Sequence, residues 1–225
     1  MTNNINAMQW IVLVSSVLIF AGCSGNSPVP VGGQTGAAGG EAAAAEKEPI
    51  ATRSFLIHGE KPNPSYRVHG FVIFTSRPTS GQYARYVKTC EAYIATLDPT
   101  ESHSSDEYDL LPTYWPVTDE LYSEDCVDMI IYYDYPRASE IVARLHAELG
   151  TGIGPYLVAS GEGELMVLDM STFSEDDIQR AMRIWEKEIC VDPKNWEPRL
   201  SIIKFREAFR SMLQAYGDSI LKYFS

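Results

Sequence analysis

The chain has 225 residues, of which 45% are hydrophobic and 11% aromatic, enough for one sizeable core and too many for a disordered protein. Its formal net charge of −12 argues against nucleic acid and anionic lipid head groups as partners, since both attract Lys and Arg. A basic partner remains compatible with this charge, as does a charge that only keeps an exported domain soluble.

The N-terminal region contains an apolar stretch that is too short to cross a membrane. Residues 1–9 are largely polar, residues 10–21 are nearly all apolar, and Gly22 and Cys23 follow directly. A dozen apolar residues is typical of the core of a signal peptide, whereas a membrane-spanning helix needs about 20. We therefore interpret residues 1–22 as a cleaved export signal.

The end of this signal carries a short recognisable motif. Residues 20–23, Phe-Ala-Gly-Cys, resemble the bacterial lipobox, in which a large apolar residue and two small residues precede a cysteine. The resemblance covers residues 1–23 only. It implies a bacterial lipoprotein precursor that is cleaved before Cys23 and carries diacylglycerol on the Cys23 sulfur and a further acyl chain on the new amino group. Two or three acyl chains anchor a protein stably in a membrane.

Ser24 and the residues before the motif bear on its interpretation. Ser24 is not the aspartate that resembles an inner-membrane retention signal, so the resemblance favours the outer membrane, with the domain facing the periplasm. The alternative is an ordinary cleaved signal with an unlipidated Cys23. That alternative stays open because Phe20 stands where Leu is usual and no Lys or Arg occurs before Lys47.

A change of composition separates a tether from a domain. Residues 24–50 include six Gly, six Ala and three Pro and no aromatic residue. Such a segment behaves as a flexible linker, with a root-mean-square span of roughly 30 Å for this length. We predict a lipid anchor and tether over residues 23–50 and one globular domain over residues 51–225.

The first half of the domain shows both strand and helix patterns. Residues 66–75 are β-branched and aromatic, which predicts a mostly buried strand. Residues 81–97 carry apolar side chains at spacings of three and four, which marks one face of a helix. Residues 110–117 contain two prolines and favour an edge or irregular strand, whereas residues 127–133 form an apolar run suited to a central strand.

The next segment predicts a helix and a hairpin. Residues 138–149 form a short helical pattern, which Gly150 is expected to end as a C-cap. Two short apolar runs, residues 156–159 and 164–168, flank a glycine-rich turn and predict a β-hairpin.

Two further helices are predicted toward the C-terminus. Ser174 is placed as an N-cap, with Phe173 and Ile178 forming a hydrophobic staple across it. A last helix is expected over residues 205–223. The apolar face of the helix that Ser174 opens comprises Ile178, Met182, Trp185 and Ile189.

The order of these elements predicts an α+β fold. Strand, helix, strand, strand, helix, strand matches a ferredoxin-like α/β sandwich built on a split βαβ unit, with an extra hairpin strand and two C-terminal helices. Another α/β sandwich fits nearly as well.

The cysteines and histidines predict no metal site and no cofactor. With Cys23 lipidated, three cysteines remain in an oxidising compartment, and we favour a disulfide between Cys126 and Cys190 because both lie at predicted element ends. Cys90 is placed on the apolar face of its helix as a core residue. The four histidines are scattered, without the spacing that sets two imidazoles on one helix face.

Two groups of residues are candidates for binding. Arg77 and Ser80 lie between a predicted strand and helix, where free backbone amides can hold an anion, although helix capping explains them equally well. An aromatic surface for a sugar, peptide or protein is predicted near the acidic loops, with the alternative that most of these rings cover the core. Its candidate residues are Tyr114, Trp115, Tyr122 and Tyr135.

The functional prediction follows from the anchor, the charge and the missing motifs. No nucleophile elbow, phosphate-binding loop or zinc-protease helix is present in the sequence. We therefore predict a non-enzymatic, lipid-anchored envelope domain that binds a basic protein or another envelope component. The alternative is an envelope hydrolase acting on cell wall or polysaccharide through a carboxylate pair from residues 101–128, held roughly 5 to 10 Å apart.

Overall fold

The computed structural model describes residues 47–119 and 124–196, with the backbone of residues 199–200. Its strands are β1 (Glu48–Ile57), β2 (Val68–Ile73), β3 (Asp98–Pro99), β4 (Tyr108–Val117), β5 (Tyr156–Gly161), β6 (Glu164–Asp169) and β7 (Arg199–Leu200). Its helices are α1 (Ser80–Thr96), α2 (Cys126–Ile131), α3 (Tyr135–Leu145) and α4 (Glu175–Glu188). Short 3-10 turns occur at Thr100–Ser102 and Pro193–Asn195.

The strands form one mixed sheet in the order β3-β1-β4-β2-β5-β6-β7. Strands β3, β1, β4 and β2 are parallel to one another, β5 is antiparallel to β2 and β6, and β7 is parallel to β6. The α+β class is thereby confirmed. The βαβ unit formed by β2, α1 and β4 places its two strands directly side by side, so it is not the split unit that the element order suggested.

Strand β4 lies inside the sheet, so the prediction of an edge strand over residues 110–117 was wrong. All ten residues of β4 pair with β1. Pro112 and Pro116 are four residues apart and direct their nitrogens to the same side of the strand. That side faces away from β1, because the Pro116 carbonyl accepts a hydrogen bond from the Asp134 amide at 3.1 Å. The β4 ladder with β2 spans only two residue pairs, so the missing amides cost little.

The predicted central strand over residues 127–133 is instead helix α2, followed by a single bridge between Val117 and Tyr133. The Asp125 side chain caps this helix by accepting a hydrogen bond from the Val127 amide at 2.9 Å. Only part of the apolar run faces the core: Met129, Ile130 and Tyr133 are buried. Because almost every residue of this run is apolar, its sequence shows neither the two-residue period of a strand nor the 3.6-residue period of a helix. The pattern therefore did not distinguish a strand from a helix.

Helix α4 confirms the prediction made from its cap and apolar spacing. Ser174 is the N-cap, and its hydroxyl accepts a hydrogen bond from the Asp177 amide at 3.2 Å. Phe173 and Ile178 are both buried. The predicted face of the helix is fully buried, comprising Ile178, Met182, Trp185 and Ile189. Trp185 fixes the helix on the sheet by donating its Nε1 proton to Thr113 Oγ1 at 3.0 Å.

Helices α1 and α3 and the hairpin were also predicted, with shifted boundaries. Helix α3 ends earlier than expected: His146, in the left-handed conformation at φ 52°, occupies the C-cap position assigned to Gly150. The β5–β6 hairpin is confirmed, and positive φ angles at Glu162 and Gly163 fit the primed turns that match strand twist.

A disulfide joins Cys90 to Cys126, so the predicted pairing of Cys126 with Cys190 was wrong. Their Cα atoms are 5.6 Å apart, within the range that a disulfide spans. Helices α1 and α2 pack together, whereas Cys190 follows the end of α4. Which elements pack together is a tertiary property that the spacing of cysteines does not encode.

The ends of the chain test the remaining predictions only in part. Strand β1 begins at Glu48, so the domain starts before residue 51, where the change of composition placed it. Cys23, Tyr122 and the predicted helix over residues 205–223 lie outside the described residues. Within the part of the chain that the structure describes, no helix is long and apolar enough to cross a membrane.

Candidate functional site

The predicted aromatic surface is largely part of the core. Tyr114 is 5% exposed and Trp115 is fully buried, so these two residues do not offer a partner surface. Burial raises the pKa of Tyr114 to about 12. Tyr135 is only partly exposed and packs edge-to-face on Tyr133, with ring centroids 4.8 Å apart. Tyr114 and Trp115 are neighbours on β4, so their side chains point to opposite faces of the sheet. Both rings are buried because both faces of this central strand are covered.

The predicted anion site lies on the surface between β2 and α1. Arg77 and Ser80 are both exposed. Thr79 is the N-cap of α1, and its amide and hydroxyl both donate to the side-chain oxygen of Gln82 at 2.9 Å. Capping therefore occupies this turn, and anion binding by Arg77 and Ser80 stays a prediction.

The acidic residues proposed for a hydrolase are held at different places. Asp109, at the start of β4, pairs with Arg67 Nε at 2.9 Å. Glu124, beyond the end of β4, pairs with Arg53 on β1 at 2.5 Å. Arg53 lies opposite Thr113, four residues along β4 from Asp109, so the two carboxylates are bound to different arginines at different levels of the sheet. Each is neutralised by its own arginine, and the two do not form a pair with each other.

One histidine is held by a buried carboxylate. The Asp134 side chain, 1% exposed, lies 2.6 Å from His58 Nδ1 and also accepts a hydrogen bond from the Arg137 amide at the start of α3. These contacts cap the helix and attach the loop after β1 to it. Among the described residues, no group of three or more His, Cys, Asp or Glu side chains is placed to hold a metal ion.

The most conspicuous apolar surface of the described domain lies on α2. Three residues, which we call the α2 patch, are Val127, Ile131 and Tyr132, with 48%, 63% and 46% of their surface exposed. Val127 and Ile131 are four residues apart and share one side of the helix. Tyr132 follows the last helical turn. Burying the exposed part of each side chain would release on the order of 1 kcal/mol.

The opposite side of α2 is fixed to the domain. Met129 and Ile130 are buried, and the Met129 carbonyl accepts a hydrogen bond from Trp115 Nε1 at 3.1 Å. Cys126 links the first turn to α1 through the disulfide with Cys90. Since a helix of six residues is not stable alone, these contacts hold the patch in one conformation.

The surroundings of the α2 patch are acidic. No Lys or Arg occurs between Thr118 and Pro136, whereas Asp119 and Asp125 are exposed and Asp128 is partly exposed. The Thr118 amide donates to the Tyr132 carbonyl at 2.8 Å, which brings the following Asp119 to the same side. An apolar centre with an acidic rim is complementary to a partner with apolar and basic side chains.

The α2 patch was missed in the sequence because its segment was interpreted as a strand. A helix signal was present: Asp125 is followed three residues later by Asp128, an acidic pattern typical of a helix start.

Comparisons with known proteins identify no relative: no family model, no curated protein and no solved structure matches the chain.

Proposed function

We propose that this chain is a lipid-anchored protein of the bacterial envelope whose domain binds a basic protein partner through the α2 patch. The proposal rests on one observation: Val127, Ile131 and Tyr132 are exposed on a helix whose opposite side is packed against the domain. An interface that is already ordered loses less conformational entropy when a partner binds. Three residues are too few for a whole interface. The α2 patch therefore forms the centre of the interface, and the acidic residues around it form the rim.

The position of the tether supports this role. Lys47 immediately precedes β1, and the first residues of β1 pair with the first residues of β4. Helix α2 follows the other end of β4, about 30 Å away. The α2 patch therefore lies at the opposite end of the sheet from Lys47, the described residue nearest the tether. We place the protein on the outer membrane, facing the periplasm.

We expect lipid on Cys23 to be visible by intact mass. Protein extracted from the membranes of an expressing bacterium should begin at Cys23 and carry the added mass of two or three acyl chains. A Cys23→Ala variant should lack that mass and leave the membrane fraction. An unmodified chain in the membrane extract would contradict the anchor while leaving the partner surface to be tested separately.

We expect partner binding to depend on the α2 patch. A photo-crosslinking amino acid at Val127 should join the domain to its partner in living cells, and mass spectrometry should identify it. With both proteins purified, Ile131→Ser should weaken binding about tenfold, since that residue has the most exposed apolar side chain. Higher salt should weaken it further, because the rim is acidic.

Control variants test whether binding depends on the α2 patch or on any exposed apolar side chain. Tyr83 on α1 and Val191 after α4 are also exposed, at 38% and 37%, and their serine variants should bind as the wild type does. Equal affinity of the Ile131→Ser variant, or the absence of a crosslinked partner, would exclude the α2 patch as the binding surface. No observation on the described residues favours the hydrolase alternative.

A further inference from the structure

A cleft of about 490 Å³ lies at the end of the sheet opposite the α2 patch. Several elements meet there: the starts of β1, β2 and β4, the β5–β6 turn and the segment that follows α4. Its volume falls in the range of sites that hold small molecules. Six charged side chains line it, three basic and three acidic: Lys47, Arg67, Lys194, Asp109, Glu162 and Asp192.

Four of these charges are paired within the protein. Arg67 Nε lies 2.9 Å from Asp109 Oδ2, and both side chains are about 30% exposed. Lys194 Nζ lies 3.6 Å from Glu162 Oε2. The Arg67 pair uses only Nε, so the two terminal nitrogens of the guanidinium keep their protons for another acceptor.

The other two charges have no ion-pair partner among the described residues. The Lys47 ammonium donates to a neutral acceptor, the Ser105 carbonyl, at 2.5 Å. The Asp192 carboxylate accepts a hydrogen bond from the Lys194 backbone amide at 3.1 Å, which caps the 3-10 turn. The cleft thus offers one unpaired positive charge and one unpaired negative charge.

We propose that this cleft binds a small zwitterion, a free amino acid or a short peptide with both ends unblocked. The ligand carboxylate pairs with Lys47 and the terminal nitrogens of Arg67, and its ammonium group pairs with Asp192. A simple anion would meet three carboxylates in the same cleft, and an apolar ligand would have to displace the hydration of six charges. A ligand with both charges satisfies each unpaired group.

The dipeptide alanyl-alanine is a suitable probe, titrated into the full chain by calorimetry or by NMR shifts. We expect millimolar or tighter binding, the range of about −4 kcal/mol. N-acetylation should weaken binding at least about tenfold by removing the charge that Asp192 recognises, and C-amidation should do the same by removing the charge that Lys47 recognises. No binding at about 10 mM dipeptide, or equal binding of the blocked forms, would overturn the proposal.

Two variants assign each end of the ligand. Lys47→Gln should weaken binding of the free dipeptide about tenfold but leave the affinity for the C-amidated form unchanged. Asp192→Asn should likewise weaken binding of the free dipeptide but leave the affinity for the N-acetylated form unchanged. Asparagine also caps helical turns, so the fold is retained. Lys88→Gln, at an exposed lysine on α1, is the control and should leave affinity unchanged. An equal loss in that control would contradict the assignment.

Discussion

We expect replacement of both Cys90 and Cys126 by alanine to lower the free energy of unfolding by about 3 to 4 kcal/mol. The disulfide closes a loop with a sequence separation of 36, and the loss of chain entropy in the unfolded state grows with loop length. Cys90 is also fully buried, so the variant loses packing between α1 and α2. Urea denaturation followed by circular dichroism measures this change.

A neighbouring variant controls for the position of the disulfide. Val127 follows Cys126 but is 48% exposed, so Val127→Ala should change stability by less than about 0.5 kcal/mol. The double cysteine variant should also lose affinity for the partner, because the first turn of α2 then loses its covalent link to α1. A stability loss below about 1 kcal/mol would show that this crosslink contributes little.

We expect Trp115→Ala to lower the free energy of unfolding by about 3 to 5 kcal/mol. The indole lies among three aromatic rings, those of Phe74, Tyr93 and Tyr133, with centroids 5.4 to 5.8 Å away. Truncation leaves a large cavity and removes the hydrogen bond that holds the Met129 carbonyl. Tyr132→Ala, at a ring that is 46% exposed, should cost less than about 1 kcal/mol.

The same pair of variants separates stability from binding. Trp115→Ala should weaken binding together with stability, because it also removes a contact that holds α2, whereas Tyr132→Ala should weaken binding while the domain stays folded. A stable Trp115→Ala variant would instead place this ring on the surface, the position of a partner-binding residue. Denaturation curves and partner titrations of both proteins decide between these outcomes.

Local signals predicted the elements whose determinants are close in sequence. Helix α4 was predicted with its cap, its staple and its buried face, because each of these features depends on residues no more than five positions from the next. The β5–β6 turn was predicted for the same reason. In contrast, β1 contains Pro49 and Arg53 within its ten residues and showed no clear pattern.

By itself, the sequence determined the α+β class, the apolar N-terminal segment with its lipobox-like end, and the acidic charge. Tertiary structure alone decided that β4 is central, that Cys90 pairs with Cys126, and that the α2 patch is exposed. Each of these facts depends on which distant segments pack together. Apolar composition shows that a side chain is suited to burial, but only the packed neighbours determine whether it is covered or remains free for a partner.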